Sequence, residues 1–190
     1  PDPSVERQSG LLKPQLNNSS ILGSSLQIPY FHVLSEDKDI TFTPNIFDSN
    51  ILMMQSEYRQ ANEYSSFVAD FAFTKGYQST SQADNNRNSI SHFFSKFDLD
   101  LNLEKFQKSK LFMKLEKVTN DSYLKVFDGN LINTLLKPSN KDTLSSAINI
   151  TLENENYNFS AGLSAYEKLS GKNSDRYQFV LPHYSFSRNL

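Results

Sequence analysis

The sequence predicts an all-β chain, an antiparallel meander of about ten long strands that forms an open segment of a larger sheet. Three features predict it: a hydrophobic rhythm of period two, long uninterrupted runs between turn signals, and many aromatics among few aliphatics. The rhythm comes first. Ile148, Ile150 and Leu152 alternate with Asn149, Thr151 and Glu153. Leu111, Met113 and Leu115 alternate with Phe112, Lys114 and Glu116. Phe67, Ala69, Phe71 and Phe73 alternate with Val68, Asp70, Ala72 and Thr74. Tyr157, Phe159, Ala161 and Leu163 alternate with Asn158, Ser160, Gly162 and Ser164, and Tyr177, Phe179 and Leu181 continue the pattern. Successive side chains of a strand point to opposite faces, so each run has one apolar face and one mostly polar face.

Turn chemistry separates the runs. Asp48-Ser49-Asn50 and Asn154-Glu155-Asn156 read as tight turns, and 171–175 and 76–87 as longer polar loops. The strands then fall at 10–17, 21–32, 39–47, 51–60, 65–75, 88–101, 109–119, 142–153, 157–169 and 177–187. A short helical turn is expected over 121–127, and 131–138 reads as loop. Strands of globular proteins are usually about five or six residues long, whereas a tilted strand crossing a bilayer needs about 9–11. These runs have the second length, and short turns alternating with longer loops suit an outer-membrane barrel wall. A soluble β-sandwich also alternates and stays open at this point. No fixed repeat supports a solenoid.

Composition agrees with one apolar and one wet face. Hydrophobic residues are 37% of the 190, yet aromatics reach 13%, with 15 Phe and 9 Tyr. A formal net charge of −2 gives no basic field, which argues against nucleic acid as a partner. Cysteine is absent, so no disulfide or thiolate metal site can form within the segment. No run of eighteen apolar residues exists, and a barrel of alternating strands would leave none. The opening Pro1-Asp2-Pro3-Ser4-Val5-Glu6-Arg7 has no apolar stretch behind a basic start, unlike a signal peptide. We therefore expect a piece of a longer protein.

Five short segments, in order, carry a family resemblance. They are Ser9-Gly10-Leu11-Leu12-Lys13-Pro14, Gln27-Ile28-Pro29-Tyr30-Phe31, Asp39-Ile40-Thr41-Phe42-Thr43-Pro44 with Glu57-Tyr58-Arg59, Val118-Thr119-Asn120-Asp121-Ser122-Tyr123-Leu124 with Phe127, and Arg176-Tyr177-Gln178-Phe179-Val180-Leu181-Pro182. Together they resemble the N-terminal part of the barrel domain of the LPS-assembly outer-membrane protein family, LptD (organic-solvent-tolerance protein). The resemblance runs from about Gly10 to the end of the chain. It implies a very large barrel in the outer membrane of Gram-negative bacteria that inserts lipopolysaccharide into the outer leaflet. It also implies a lipoprotein plug in the lumen, a periplasmic bridge protein that delivers the lipid, and a lateral seam through which the lipid leaves. On this basis 1–9 is expected to be a linker from an N-terminal periplasmic domain and 10–190 a portion of the barrel. The alternatives are a passive porin-like channel and, beyond it, a soluble β-rich surface module.

Two groups of residues could serve that function. Pro14 and Pro29 fall in the first two expected strands, and proline has no N–H to give a ladder. Two of them in neighbouring strands would weaken pairing there, and the resemblance implies that prolines at these positions loosen the seam. Each could instead simply start or end a strand. The wet-face residues Gln55, Glu57, Arg59, Asp70, Lys114, Glu116, Asn149, Thr151 and Glu153 form the second group, expected to face the lumen because Arg or Lys on the lipid face costs about 2–4 kcal/mol at midplane. They could contact the plug or the saccharide of the lipid, or be an ordinary solvated interior. Tyr30, Phe31, Tyr58, Tyr64, Phe73, Tyr77, Phe93, Phe94, Tyr177 and Tyr184 lie near strand ends and could form interfacial girdles or simply pack.

Catalysis has little support. His32, His92 and His183 are isolated in sequence, with no metal-ligand spacing and no Ser–Asp pattern beside them. The six glycines are spread singly and make no phosphate loop. No cofactor is expected.

Overall fold

The computed structural model describes residues 7–48, 50–75, 89–132, 136–170 and 175–188. Their strands build one antiparallel twelve-stranded sheet. In chain order these are β1 (Gly10–Leu11), β2 (Gln15–Ser19), β3 (Gly23–Gln27), β4 (Tyr30–Ser35), β5 (Lys38–Phe47), β6 (Leu52–Ala61), β7 (Ser65–Lys75), β8 (Ser89–Asp100), β9 (Lys108–Val118), β10 (Thr143–Glu153), β11 (Tyr157–Lys168) and β12 (Tyr177–Arg188). From β4 to β12 each strand pairs with its sequence neighbours, the simplest meander. The sheet stays open, with β1 and β12 at the ends of the path.

The all-β expectation holds, with one change at the start. The two strands expected at 10–17 and 21–32 are each broken in two. The breaks fall at 12–14 and 28–29, where Pro14 and Pro29 interrupt the ladder. Proline lacks the N–H, and it also restricts the residue before it, so two prolines one step out of register, Pro29 opposite Leu12 and Pro14 opposite Ile28, end regular pairing. The halves still meet: β1 pairs β4, β2 pairs β3, and both β3 and β4 lie against β5. The β2–β3 hairpin turns at Gly23, whose φ of 79° and close approach to the Asp48 carboxylate leave no room for a Cβ.

Register sorts the side chains. Partners across an antiparallel pair share a face, so Asp39, Arg59 and Val68 lie on one side with Glu57, Asp70, Phe94 and Glu116. This face is mostly polar. The opposite face carries Leu16, Ile46, Leu52, Phe71, Phe73, Phe93, Met113, Leu115, Ile148, Leu163 and Phe186, all exposed. The usual order of a soluble protein is inverted, and an apolar face this broad marks an interaction surface. If it meets lipid, Ile150→Arg should cost about 2–4 kcal/mol of membrane-inserted stability in the full-length protein. The equivalent change at Thr151, on the other face, should cost far less. Equal losses in a folding titration into lipid vesicles would refute the assignment.

Connections differ at the two rims. One rim has the short links 36–37, 62–64 and 154–156, with 101–107 somewhat longer. The other has the long connection 119–142, which folds back over the polar face. It carries the expected helical turn as α1 (Tyr123–Phe127), followed by a 3-10 turn, Asp128–Asn130. The Asn120 side-chain oxygen accepts from the Ser122 N–H and hydroxyl at 2.9 and 2.6 Å and so starts the turn. Five residues cannot hold a helix alone. Packing holds it: Tyr123, Leu124 and Phe127 are buried, and they join Leu22, Phe47, Met53, Ala72, Phe94, Val118 and Leu144 in one apolar cluster.

Candidate functional site

The broken edge is the first part of the site. Leu12 N–H donates to the Pro29 carbonyl at 2.8 Å, and Ile28 N–H donates to the Pro44 carbonyl at 3.2 Å. Neither bond is returned by its proline, because neither proline has an N–H. Pro44 belongs to β5, and the β3 and β4 registers both extrapolate to place it opposite Ile28. The weakness therefore crosses two successive interfaces at one level. Pro44 falls inside the strand expected at 39–47, where period-two patterning does not mark a missing N–H; a third proline on the neighbouring strand was the available signal. Pro14 and Pro29 lie in gaps between strands, not inside them.

Behind this edge is a cavity of about 870 Å³ on the polar side, lined among others by Gln15, Gln27, Phe31, Thr43, Arg59 and Leu131. Its floor is electrically tied. Arg59 Nε donates to Asp39 Oδ1 at 2.8 Å, Arg7 pairs with the other Asp39 oxygen, and Glu57 lies 3.6 Å from Arg59. Phe31 lies beneath the Arg7 and Arg59 guanidinium groups.

All nine residues assigned to the wet face share one face of the sheet, but not one environment. Gln55, Asp70 and Glu116 are buried under the long connection or beside it, and Glu57 is partly buried. Lys114 Nζ meets Glu116 Oε1 at 2.5 Å, and the other Glu116 oxygen accepts the Ser145 N–H at 2.7 Å. Farther along the wall, Glu153 pairs with Lys108 at 2.7 Å, and Asn149 lies over Gly162, where a Cβ would collide with it. Thr151 stands between these, opposite Lys110.

Sequence reasoning missed a buried polar chain beneath α1. Gln55 Nε2 donates to both Asp70 oxygens at 3.0 and 2.9 Å, and Gln55 Oε1 accepts the Ile132 N–H at 3.1 Å. His92 Nε2 lies 3.2 Å from Asp70 Oδ1, off the hydrogen-bonding axis, while His92 Nδ1 and the Tyr123 hydroxyl share a bond of 2.7 Å. His92 also stacks on Phe94 at 4.2 Å. These groups are closed to solvent, so the chain fastens the connection to the sheet and offers nothing to a substrate. Burial pushes the Tyr123 hydroxyl well above its ordinary range, with the Asp70 charge adding to it. Asn45 and Thr43, also buried, have side-chain atoms with no hydrogen-bond partner among the described residues. Such a group costs about 1–3 kcal/mol.

The connection is also tied by charge. Burial works against the ionised Asp128 carboxylate, but the Lys141 and Lys137 ammonium groups, at 2.7 and 2.9 Å, hold its carboxyl below the usual range. A folded value below the unfolded one stabilises the fold above the unfolded value and loses that contribution as pH falls through the folded one. Acid titration of the full-length protein should therefore loosen the connection below about pH 4. Asp128→Asn should remove that part of the pH dependence; an unchanged profile would count against it.

Of the aromatics expected in girdles, Tyr30, Tyr64, Phe73, Phe93, Tyr177 and Tyr184 are exposed. Phe94 is not one of them: it is 1% exposed, packed under α1 on the polar face. Phe31 faces the same side, and Tyr77 lies outside the described residues. No group of three or more potential metal ligands occurs among the described residues. No helix among the described residues is long and apolar enough to cross a membrane, which says nothing of a barrel.

A long-stranded open sheet with a bare apolar face, a wet face and a proline-broken edge defines a segment of barrel wall. Comparison with known proteins gives the kind. The chain is similar to the LPS-assembly protein LptD of Ectopseudomonas mendocina, 42% identical over 59 residues that cover 31% of this chain and 6% of that protein. It is similar to the protein of that name in Paraburkholderia xenovorans, 36% identical over 56 residues, 30% of this chain and 7% of that one. With the Legionella pneumophila (strain Lens) protein the likeness runs over 183 residues at 25% identity, 86% of this chain. The chain spans about a fifth of the length of that relative. No family model matches. The likeness is thus to the LPS-assembly proteins, the family that the five sequence segments resemble.

Proposed function

We propose that this chain is part of the wall of an outer-membrane barrel that delivers lipopolysaccharide to the outer leaflet, and that the lipid leaves at the β1/β2 edge. The observation that carries this is the unreturned ladder bonding at Pro29 and Pro44 beside the Pro14 gap. A barrel normally leaves no edge, and a rigid pore needs no weak one. The apolar face would meet membrane lipid. The polar face would line a lumen that holds a lipoprotein plug and receives lipid from a periplasmic bridge protein. Residues Gln55, Glu57, Arg59, Asp70, Lys114, Glu116, Asn149, Thr151 and Glu153 would face that lumen, the exposed ones in reach of plug or saccharide.

The test is a photo-crosslinking residue at Leu16, 83% exposed on the apolar side of β2, in the full-length protein in living cells. Ile150, mid-wall, is the control. Lipopolysaccharide adducts at Leu16 and not at Ile150 support export through this edge. Equal labelling by bulk lipid at both, without lipopolysaccharide, would favour a passive channel. Pro14→Ala with Pro29→Ala should restore donors, tighten the edge and lower surface lipopolysaccharide; an unchanged surface level would contradict this.

A further inference from the structure

We infer that Asn130 is a positioning residue for the edge: it holds the β2–β3 hairpin from inside, and that hairpin moves on the Pro14–Ile28–Pro44 line when the hold is released. The inference rests on the exit reading above. Asn130 is 2% exposed and reaches β3 twice. Its Nδ2 donates to Ser25 Oγ at 3.0 Å, and its carbonyl accepts from Gln27 Nε2 at 2.6 Å. Ser25 and Gln27 are themselves buried. The hairpin has few other ties to the wall. Its ladder to β5 runs through Ser25↔Phe47, Leu26↔Ile46 and Gln27↔Asn45, with one more backbone bond from Asp48 N–H to the Ser24 carbonyl at 3.0 Å. Asp48 adds a contact at its far end, accepting the Ser24 N–H at 3.0 Å. Below those pairs the bonding at Pro44 and Pro29 is one-way. At the hairpin's tip, Leu22 joins the apolar cluster that holds Tyr123, Leu124 and Phe127 of the connection together with Phe47 and Met53 of the wall. The connection 119–142 therefore takes part in both inner holds on the hairpin.

A second arrangement is built in. Asn45 stands in register with Gln27 on the same face, and its buried carboxamide has no partner among the described residues. Directly opposed side chains of a sheet lie within reach of one another. A Gln27 amide that leaves the Asn130 carbonyl has a ready partner in Asn45, so release need not strand that amide. An element whose key amide has two available partners is what a gate requires.

Hydrogen exchange of the full-length protein in lipid nanodiscs tests this. Asn130→Ala should speed exchange over 15–27 about tenfold, the effect of one lost buried hydrogen bond, and leave β6 and β7 unchanged. Ser25→Ala removes the same side-chain bond from the strand side and should act in the same direction, should the first variant fold poorly. Pro44→Ala returns a donor to Ile28 and should slow exchange in the same segment. Unchanged exchange over 15–27 in both Asn130→Ala and Ser25→Ala would overturn the inference. The variants also carry the Leu16 crosslinker. Adducts at Leu16 with unchanged hairpin exchange would refute the hold and leave the exit standing; no adduct at Leu16 in the parent would overturn both.

Discussion

Phe127→Ala in the full-length protein is expected to lower stability by about 3–5 kcal/mol, the usual cost of truncating a buried aromatic. Phe127 is fully buried. Its ring meets Phe47 edge-on at 6.5 Å and stacks on Tyr123 at 5.2 Å, and aromatic pairs add about 0.5–1.5 kcal/mol beyond area. The sheet beneath is a hydrogen-bonded wall that cannot collapse into the space, so the loss should lie toward the upper end. Denaturant unfolding in detergent, with Phe127→Leu as a milder partner, measures it. A loss below about 1 kcal/mol would mean that the connection does not rest on the sheet.

Asp70→Ala should act on the same connection through polar groups. It leaves the Gln55 amide without its acceptor and removes the carboxylate beside His92. Each buried group left unpaired costs about 1–3 kcal/mol. Because Gln55 also accepts from Ile132, and His92 bonds Tyr123, the loss should spread from the strands into the connection. Asp70→Asn keeps an acceptor and should cost less. Exchange protection at Ile132 is the specific readout: full protection in Asp70→Ala would show that the chain of bonds is not coupled.

Most of the wall was legible in the sequence. From β5 to β12 the exposed apolar residues alternate with polar ones, and an alternation imposed by two different solvents leaves a clear trace. The short helix was legible too, since Tyr123, Leu124 and Phe127 fall on one side of a turn opened by Asn120. The first two strands were read as continuous because periodicity cannot see a missing N–H; Pro14 and Pro29, in neighbouring strands and one step out of register, break them. His92 looked isolated because its partners, Asp70 and Tyr123, are brought to it by register and by a folded-back connection. The same holds for Asn130 and Gln27, which are 103 residues apart. Local pattern fixes faces, while contacts across a sheet depend on where a long connection lands.

That connection has a mechanical consequence. Its cluster touches residues at or beside the ends of β3, β5, β6, β7, β8, β9 and β10, all at one rim. A packed mass spanning so many strand ends fixes the chord of the arc they describe, much as a keystone fixes the curve of a vault. The opposite rim has short turns, the somewhat longer link 101–107 and separate ion pairs. The two mouths of such a wall therefore differ in stiffness: one keeps its radius, and the other can breathe.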